Sequence, residues 1–165
     1  MNPRWTGLAK FRSVFLRLAL GISFLSAVAD RFGLWGVYGQ PNVSWGNYGR
    51  FVGYTAKLNW FLPAAMLPAL AIIATAAETL FGLLLVLGWK TRITALLSGV
   101  LLTTFALTMT MALGVKAPLN FSVFSAAGGA LLLGGCEDFP FSLDNLLRRN
   151  GQGKRSVCDG SGRGR

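Results

Sequence analysis

Two charged residues, Arg17 and Glu78, stand inside long apolar stretches of this chain. Arg17 lies in SVFLRLALGISFLSAVAD and Glu78 in LAIIATAAETLFGLLLVLGW. A carboxylate at bilayer depth is costly unless it is protonated, meets water or pairs with a cation. A helical rise of about 1.5 Å per residue places Glu78 near the bilayer midplane and Arg17 about 7 Å below it. Because an arginine side chain covers most of that gap, we predict an Arg17–Glu78 ion pair between two antiparallel helices.

Small and polar residues accompany these charges. Arg17, Phe24 and Arg31 recur at intervals of seven and therefore share one helix face, and a glycine on that face permits close helix contact. The predicted interior-lining residues are Gly21, Phe24, Thr75, Thr79, Asn120 and Ser125. Three interpretations of this seam fit the sequence: a dry ion pair that fixes helix register, a cavity for a quinone headgroup or another small ligand, or a path for protons or substrate.

The residue types that usually carry independent catalysis are scarce in this sequence. It has no histidine, and its two cysteines, Cys136 and Cys158, lack CxxC spacing. The commonest general base and metal ligand are therefore missing, and so is a dithiol redox motif. We predict no catalytic residue and no metal site.

The composition indicates an all-α membrane protein. The chain has 165 residues, of which 53% are hydrophobic and 13% charged, whereas a soluble domain carries about 25% charged residues. A spanning helix needs about 20 mainly apolar residues, and the predicted spans of a four-transmembrane-helix bundle are 13–30, 64–88, 93–115 and 117–136. They form one membrane domain over 1–147. The basic, glycine-rich stretch 148–165 is predicted to be a disordered cytoplasmic tail.

The distribution of lysine and arginine predicts the orientation. The net charge of +10 sits mostly at the ends of apolar runs, which indicates a topology signal rather than nucleic-acid binding. With four spans, 11 basic residues fall on one side and 4 on the other. We therefore expect a multi-pass protein of the bacterial inner membrane with both termini in the cytoplasm and free cysteine thiols. The first run also has the pattern of a signal peptide ending at AVAD, but Arg17 inside it favours a retained span.

A long aromatic-rich connection, residues 31–63, follows the first span. Tryptophan and tyrosine prefer the headgroup region of a bilayer, so the segment is predicted to anchor the bundle at the outer interface; a lid over an outward cavity and a docking surface are the alternatives. The predicted outer-interface residues are Arg31, Trp45, Lys57, Trp60 and Lys116. A short helix is predicted near 47–60, and FPFSLDNLL predicts an interfacial helix capped by Ser142.

The chain resembles the DoxX family of small four-span membrane proteins over about 10–136. The segments that carry the resemblance are FLRLALGISFLSAVADRFG, YTAKLNWFLP, ATAAETLFGLLLVLGWKTRITALLSG and Lys116. Arg17 and Glu78 match polar positions of that pattern, and no catalytic residue is carried over. The resemblance implies a redox-associated subunit, since namesake relatives belong to a thiosulfate:quinone oxidoreductase and others are similar to partners in thiol-stress membrane complexes.

These observations lead to one expected function and two alternatives. We expect an integral membrane subunit, non-catalytic or co-catalytic, associated with a quinone-linked redox or sulfur-metabolism complex. Quinone is the expected cofactor class, and an oxidoreductase or sulfur-transfer protein is the expected partner besides the lipid bilayer. The alternatives are a small transporter or channel-like module that uses Glu78, and a membrane scaffold without a ligand.

Overall fold

The computed structural model describes residues 3–136 and 139–146, with side chains described from residue 10 onward, and all regular secondary structure in these residues is helical. Helix α1 is followed by a loop, a short helix α2 and a 3-10 turn at Ala64–Met66. Two long helices follow, and after them come two short helices. The bounds are α1 Pro3–Arg31, α2 Tyr48–Leu58, α3 Leu67–Leu87, α4 Thr91–Leu113, α5 Lys116–Asn120 and α6 Val123–Gly134.

Three helices are long and apolar enough to cross a membrane, at Lys10–Arg31, Ala64–Leu87 and Thr91–Leu113. They confirm the first three predicted spans, although α1 begins ten residues before the predicted start at residue 13. The helix α6 is shorter, with 12 residues, or about 18 Å of helix. The protein is therefore an all-α membrane protein with three full-length helices and a shorter fourth.

The prediction of one continuous helix over 117–136 is wrong. Ser122 has a φ of 55°, in the left-handed region, and this residue separates α5 from α6. Pro118 lies in the first turn of α5, where a proline is tolerated, so the break is set by the backbone at Ser122. This break divides the apolar run that composition alone marks as one span.

The main core joins α1, α3, α4 and α6. Its buried members are Leu20, Phe24, Leu85, Ala95, Ala130 and Leu133. The helices α1 and α3 run antiparallel and touch backbone to backbone at two glycines. A Cβ atom added to Gly21 would lie 2.9 Å from the carbonyl oxygen of Gly82. This crossing point sets the register of α1 against α3 because a side chain at either position would separate the helices.

The helix α2 confirms the short helix that was predicted near residues 47–60. Its N-cap, Asn47, accepts a hydrogen bond from the backbone N–H of Arg50 at 3.0 Å. Phe51 of α2 packs in a second core cluster with Ala71 and Ala74 of α3. The aromatic connection therefore packs against the bundle through Phe51.

Residues 139–146 lie against the turn between α3 and α4. The Ser142 hydroxyl accepts a hydrogen bond from the N–H of Asn145 at 3.2 Å, and residues 143–146 are helical, so the predicted Ser142 cap is confirmed. Cys136 is a free thiol. The predicted disordered tail at 148–165 and Cys158 lie outside the described residues.

Candidate functional site

A buried ion pair joins the end of α1 to the middle of α3. Arg31 donates from Nη2 to Glu78 Oε2 at 2.5 Å and from Nη1 to Thr75 Oγ1 at 2.9 Å. Only 2% of Arg31 and 3% of Glu78 is exposed. Thr75 in turn donates its hydroxyl to the carbonyl oxygen of Ala71 at 2.8 Å. The cation is thereby fixed to two successive turns of α3.

The predicted Arg17–Glu78 pair is wrong, and so is the placement of Arg31 at the outer interface. The reason is the crossing of Gly21 and Gly82. Arg17 precedes Gly21 on α1 and Glu78 precedes Gly82 on α3. Because the two helices are antiparallel, these residues lie on opposite sides of the crossing. Arg31, which follows Gly21, lies on the same side as Glu78.

Arg17 is buried at the other end of the bundle, with 3% of its surface exposed. Its Nη2 donates to the carbonyl oxygen of Phe141 at 2.8 Å. Its guanidinium lies against Gly88, where an added Cβ atom would clash with Arg17 Nη1. The two arginines of the predicted face are therefore both buried, but each belongs to a different polar cluster.

Aromatic rings cover the Arg31–Glu78 pair from the side of α2. The guanidinium carbon of Arg31 lies 3.7 Å from the ring centroid of Phe51 and 5.4 Å from that of Trp45, and the two rings meet edge to face. Such cation–π contacts stabilise a desolvated cation. Tyr54 packs beside Trp45; its phenol is neutral near pH 7, and burial raises its pKa further. The pair is thus enclosed by apolar and uncharged groups.

Asp30 holds the aromatic cover in place. Its Oδ2 accepts hydrogen bonds from the backbone N–H groups of Ser44, at 2.9 Å, and Trp45, at 3.1 Å. Sequence reasoning missed Asp30 and Phe51 as members of the site. The dipeptide Asp30–Arg31 at the end of an apolar run was an available signal, because two adjacent charges there need partners. The position of Phe51 depends on how the loop folds and has no comparable signal.

The remaining predicted interior residues divide into two groups. On α1 and α3, Gly21, Phe24 and Thr75 are buried, and Thr79 donates its hydroxyl to the carbonyl oxygen of Thr75 at 2.8 Å. The placement of Asn120 and Ser125 in the interior is wrong, because both are exposed. The break at Ser122 lets α6 present other residues to the core, namely Ala127, Ala130 and Leu133.

The predicted outer-interface residues differ in how exposed they are. Trp45 is partly buried as part of the aromatic cover. Lys57, Trp60 and Lys116 are exposed, with Trp60 showing 71% of its surface. These three are available to headgroups or to a partner.

An apolar groove of about 560 Å³ runs along α3 beside the ion pair. Its walls are formed by Phe32, Tyr48, Ile72, Thr75, Ala76, Thr79, Leu80 and Leu83. Phe32 and Tyr48 stack with ring centroids 5.7 Å apart and close one end. Ile72 and Leu80 are more than half exposed, so the groove opens toward the lipid. It has room for a flat apolar ring, and its surface is almost wholly apolar. Among the described residues, no cluster of metal-ligating side chains is present.

Comparison with known proteins identifies one family. The DoxX family model matches residues 13–113, which include α2, α3, α4 and the part of α1 that carries Arg17 and Arg31. No curated protein matches the chain, and no solved structure matches it. The match covers more than half of the chain and contains both members of the buried ion pair, and the chain belongs to the DoxX family.

Proposed function

We propose that this protein is an accessory membrane subunit of a quinone-linked redox or sulfur-metabolism complex, and that the groove along α3 binds the quinone ring. The observation that carries the proposal is the position of the groove. It opens to lipid, where a quinone is dissolved, and its wall includes Thr75, which is bound to Arg31. Ligand sites are lined mainly by apolar side chains, and the surface of this groove is almost wholly apolar.

The polar groups of the groove suit both redox forms of such a ring. Thr75 and Thr79 donate their hydroxyl protons to backbone carbonyls, and Thr75 Oγ1 also accepts from Arg31, so Thr79 has the freer oxygen to accept a hydrogen bond from a quinol. A quinone carbonyl needs a donor, and the phenol of Tyr48 would supply one on turning toward the bound ring. The isoprenoid tail would leave the groove past Ile72 into the lipid.

The chemistry of electron transfer would belong to a partner. The sequence has no histidine and no CxxC pair, and the charge of Glu78 is matched by Arg31. The Arg31–Glu78 pair would act by holding Thr75 and the aromatic cover in position. The expected partner is an oxidoreductase or a sulfur-transfer protein that delivers electrons to the bound quinone.

A scaffold without a ligand is the second candidate, and the enclosed pair favours it. Buried ion pairs can fix helix register without further chemistry. Transport through Glu78 has less support, since Trp45 and Phe51 cover the pair on the side of α2.

Quinone binding can be measured directly on purified protein in lipid nanodiscs. Quenching of tryptophan fluorescence by a short-chain quinone should saturate for the wild type. Ala76→Phe fills the groove and should weaken binding at least tenfold, whereas Ile73→Phe, on the exposed face of α3 outside the groove, should leave it unchanged. Binding that is absent, or equal in the two variants, would favour the scaffold. Purification from native membranes in mild detergent tests the partner separately: a co-purifying flavoprotein or sulfur-transfer enzyme is expected.

We also propose that the chain lies in a bacterial inner membrane with both termini in the cytoplasm. The support is the excess of basic residues on the side of the termini. In a background with Cys136 and Cys158 changed to serine, a cysteine at exposed Gly39 should react with an impermeant maleimide added to intact spheroplasts. A cysteine at exposed Arg92 should react after lysis. The reverse pattern would invert the topology.

A further inference from the structure

The first turn of α4 holds a carboxylate from the C-terminal segment. Asp144 Oδ1 accepts a hydrogen bond from the backbone N–H of Lys90 at 2.7 Å, and its Oδ2 accepts one from Thr91 at 2.8 Å. The helix α4 has 23 residues, and the free N–H groups and dipole of such an N-terminus favour an anion. Asp144 therefore acts as an internal anionic ligand.

Two buried donors beside this carboxylate are left without a partner. In the part of the chain that the structure describes, Arg17 Nε and Thr91 Oγ1 are buried and have no hydrogen-bond partner. Arg17 is 3% exposed and Thr91 is fully buried, and Arg17 lies close enough to Asp144 for electrostatic attraction. The two oxygens of Asp144 are used by the two backbone amides. The site thus offers more donors than one carboxylate satisfies.

The location of these donors suits a phosphate group. The apolar run of α3 ends at Leu87, and Trp89 and Lys90 follow it, which is the order of residues expected where a helix meets the headgroup layer. Lys90 and Arg92 are exposed and add positive charge at this end. A phosphate group has four oxygens, two more than a carboxylate, although two of them are ester oxygens in a phospholipid. The additional oxygens can reach Arg17 and Thr91 as well as the amides.

We infer that Arg17, Thr91 and the amide groups of residues 90 and 91 form a phosphate site for which Asp144 is the internal competitor. When a phosphate group occupies this site, Asp144 is displaced and residues 139–146 leave the end of the bundle. The phosphate can come from inorganic phosphate or from the headgroup of an anionic phospholipid, since both carry negative charge on terminal phosphoryl oxygens. This inference is independent of the quinone groove, which lies along α3 at the opposite side of the Gly21–Gly82 crossing.

Removing the competitor tests the inference in the full chain. The melting temperature of Asp144→Ala in detergent should rise with inorganic phosphate and saturate, at constant ionic strength adjusted with chloride. The wild type should shift less than half as much, because Asp144 competes. Arg17→Gln added to Asp144→Ala should abolish the response. Nanodiscs of phosphatidylglycerol against phosphatidylcholine, without phosphate, form the second arm: stabilisation there alone assigns the site to a lipid headgroup.

A matched control and a second variant keep the result decisive. Ser142→Ala removes the cap at the start of the same helical turn without changing charge and should show no more response than the wild type. If Asp144→Ala does not fold, Asp144→Asn is used, and refolding of either variant by phosphate or phosphatidylglycerol supports the site. Failure of both anions to stabilise or refold the Asp144 variants, or a response that survives Arg17→Gln, overturns it.

Discussion

Arg31 Nη2 and Glu78 Oε2 lie 2.5 Å apart, and this pair ties the last residue of α1 to the middle of α3. It is the point at which three elements meet, because Phe51 of α2 covers the same guanidinium. Removing one member of a buried ion pair is costly, since the other charge stays buried without a partner. The pair therefore couples the aromatic connection to the transmembrane bundle.

Glu78→Gln and Arg31→Gln should each destabilise the protein strongly. Each change leaves one buried charge without its partner, which costs about 3–5 kcal/mol. The double variant should cost less than the sum of the two, because it leaves no uncompensated charge. Chemical unfolding in detergent, followed by circular dichroism, gives the three free energies of unfolding.

Arg17→Gln is the matched control for this cycle. It loses a charged hydrogen bond to the carbonyl of Phe141, worth about 1.5–3 kcal/mol. Because Arg17 and Glu78 lie on opposite sides of the glycine crossing, its effect should add to that of Glu78→Gln, as expected for separate sites. A large coupling energy between Arg17 and Glu78, with none between Arg31 and Glu78, would contradict the observed pairing.

Phe51→Leu should cost more than Phe24→Leu. Both phenylalanines are buried, with 6% and 5% of their surface exposed, so the two changes remove similar packing. Phe51 additionally covers the guanidinium of Arg31, a contact worth about 2 kcal/mol when desolvated. The difference in free energy of unfolding should vanish when Arg31 is replaced by methionine. Equal losses in the two variants would show that the ring acts through packing alone.

Ser122→Val should destabilise the protein although Ser122 is exposed. A φ of 55° is unfavourable for a branched side chain, with a cost of roughly 1–2 kcal/mol. Ser125→Val, also exposed but inside α6, is the control and should be nearly neutral. The comparison of the two melting temperatures measures the strain at the break. Equal melting temperatures would mean that α5 and α6 join differently.

The spans were predictable where apolar character and helix geometry agree. The runs around residues 64–88 and 93–115 have no proline beyond the first turn of a helix, and α3 and α4 occupy them closely. The run 117–136 is also apolar but is richer in glycine and contains a left-handed residue at Ser122. Composition carries no information about that torsion angle, and the break also turned Asn120 and Ser125 away from the interior.

The sequence indicated that Glu78 pairs with an arginine of α1, but not which arginine. The seven-residue spacing of Arg17, Phe24 and Arg31 correctly predicted one buried face. The choice of Arg17 rested on its depth, about 7 Å below the midplane in a span that begins at residue 13. A better use of the sequence was to align the two glycines, Gly21 and Gly82, because close backbone contact requires them to face each other. That alignment puts Arg31 on the same side of the crossing as Glu78 and Arg17 on the other side.

Gly21→Ala tests whether this crossing sets the register. The added Cβ would lie 2.9 Å from the carbonyl oxygen of Gly82, so the backbones must separate, at a cost of about 1–3 kcal/mol. Gly128→Ala is the control: its Cβ would meet nothing within 4 Å, and the better helix propensity of alanine should stabilise by about 0.5–1 kcal/mol.

The separation of α1 from α3 in Gly21→Ala should also weaken the Arg31–Glu78 ion pair. If α1 moves relative to α3, Arg31 loses its fit to Glu78, so Gly21→Ala and Glu78→Gln together should cost less than the sum of their separate effects. Free energies of unfolding for the single and double variants give this coupling. Strict additivity, or an equal response of Gly21→Ala and Gly128→Ala, would mean that contacts other than the glycine crossing hold Arg31 in register with Glu78.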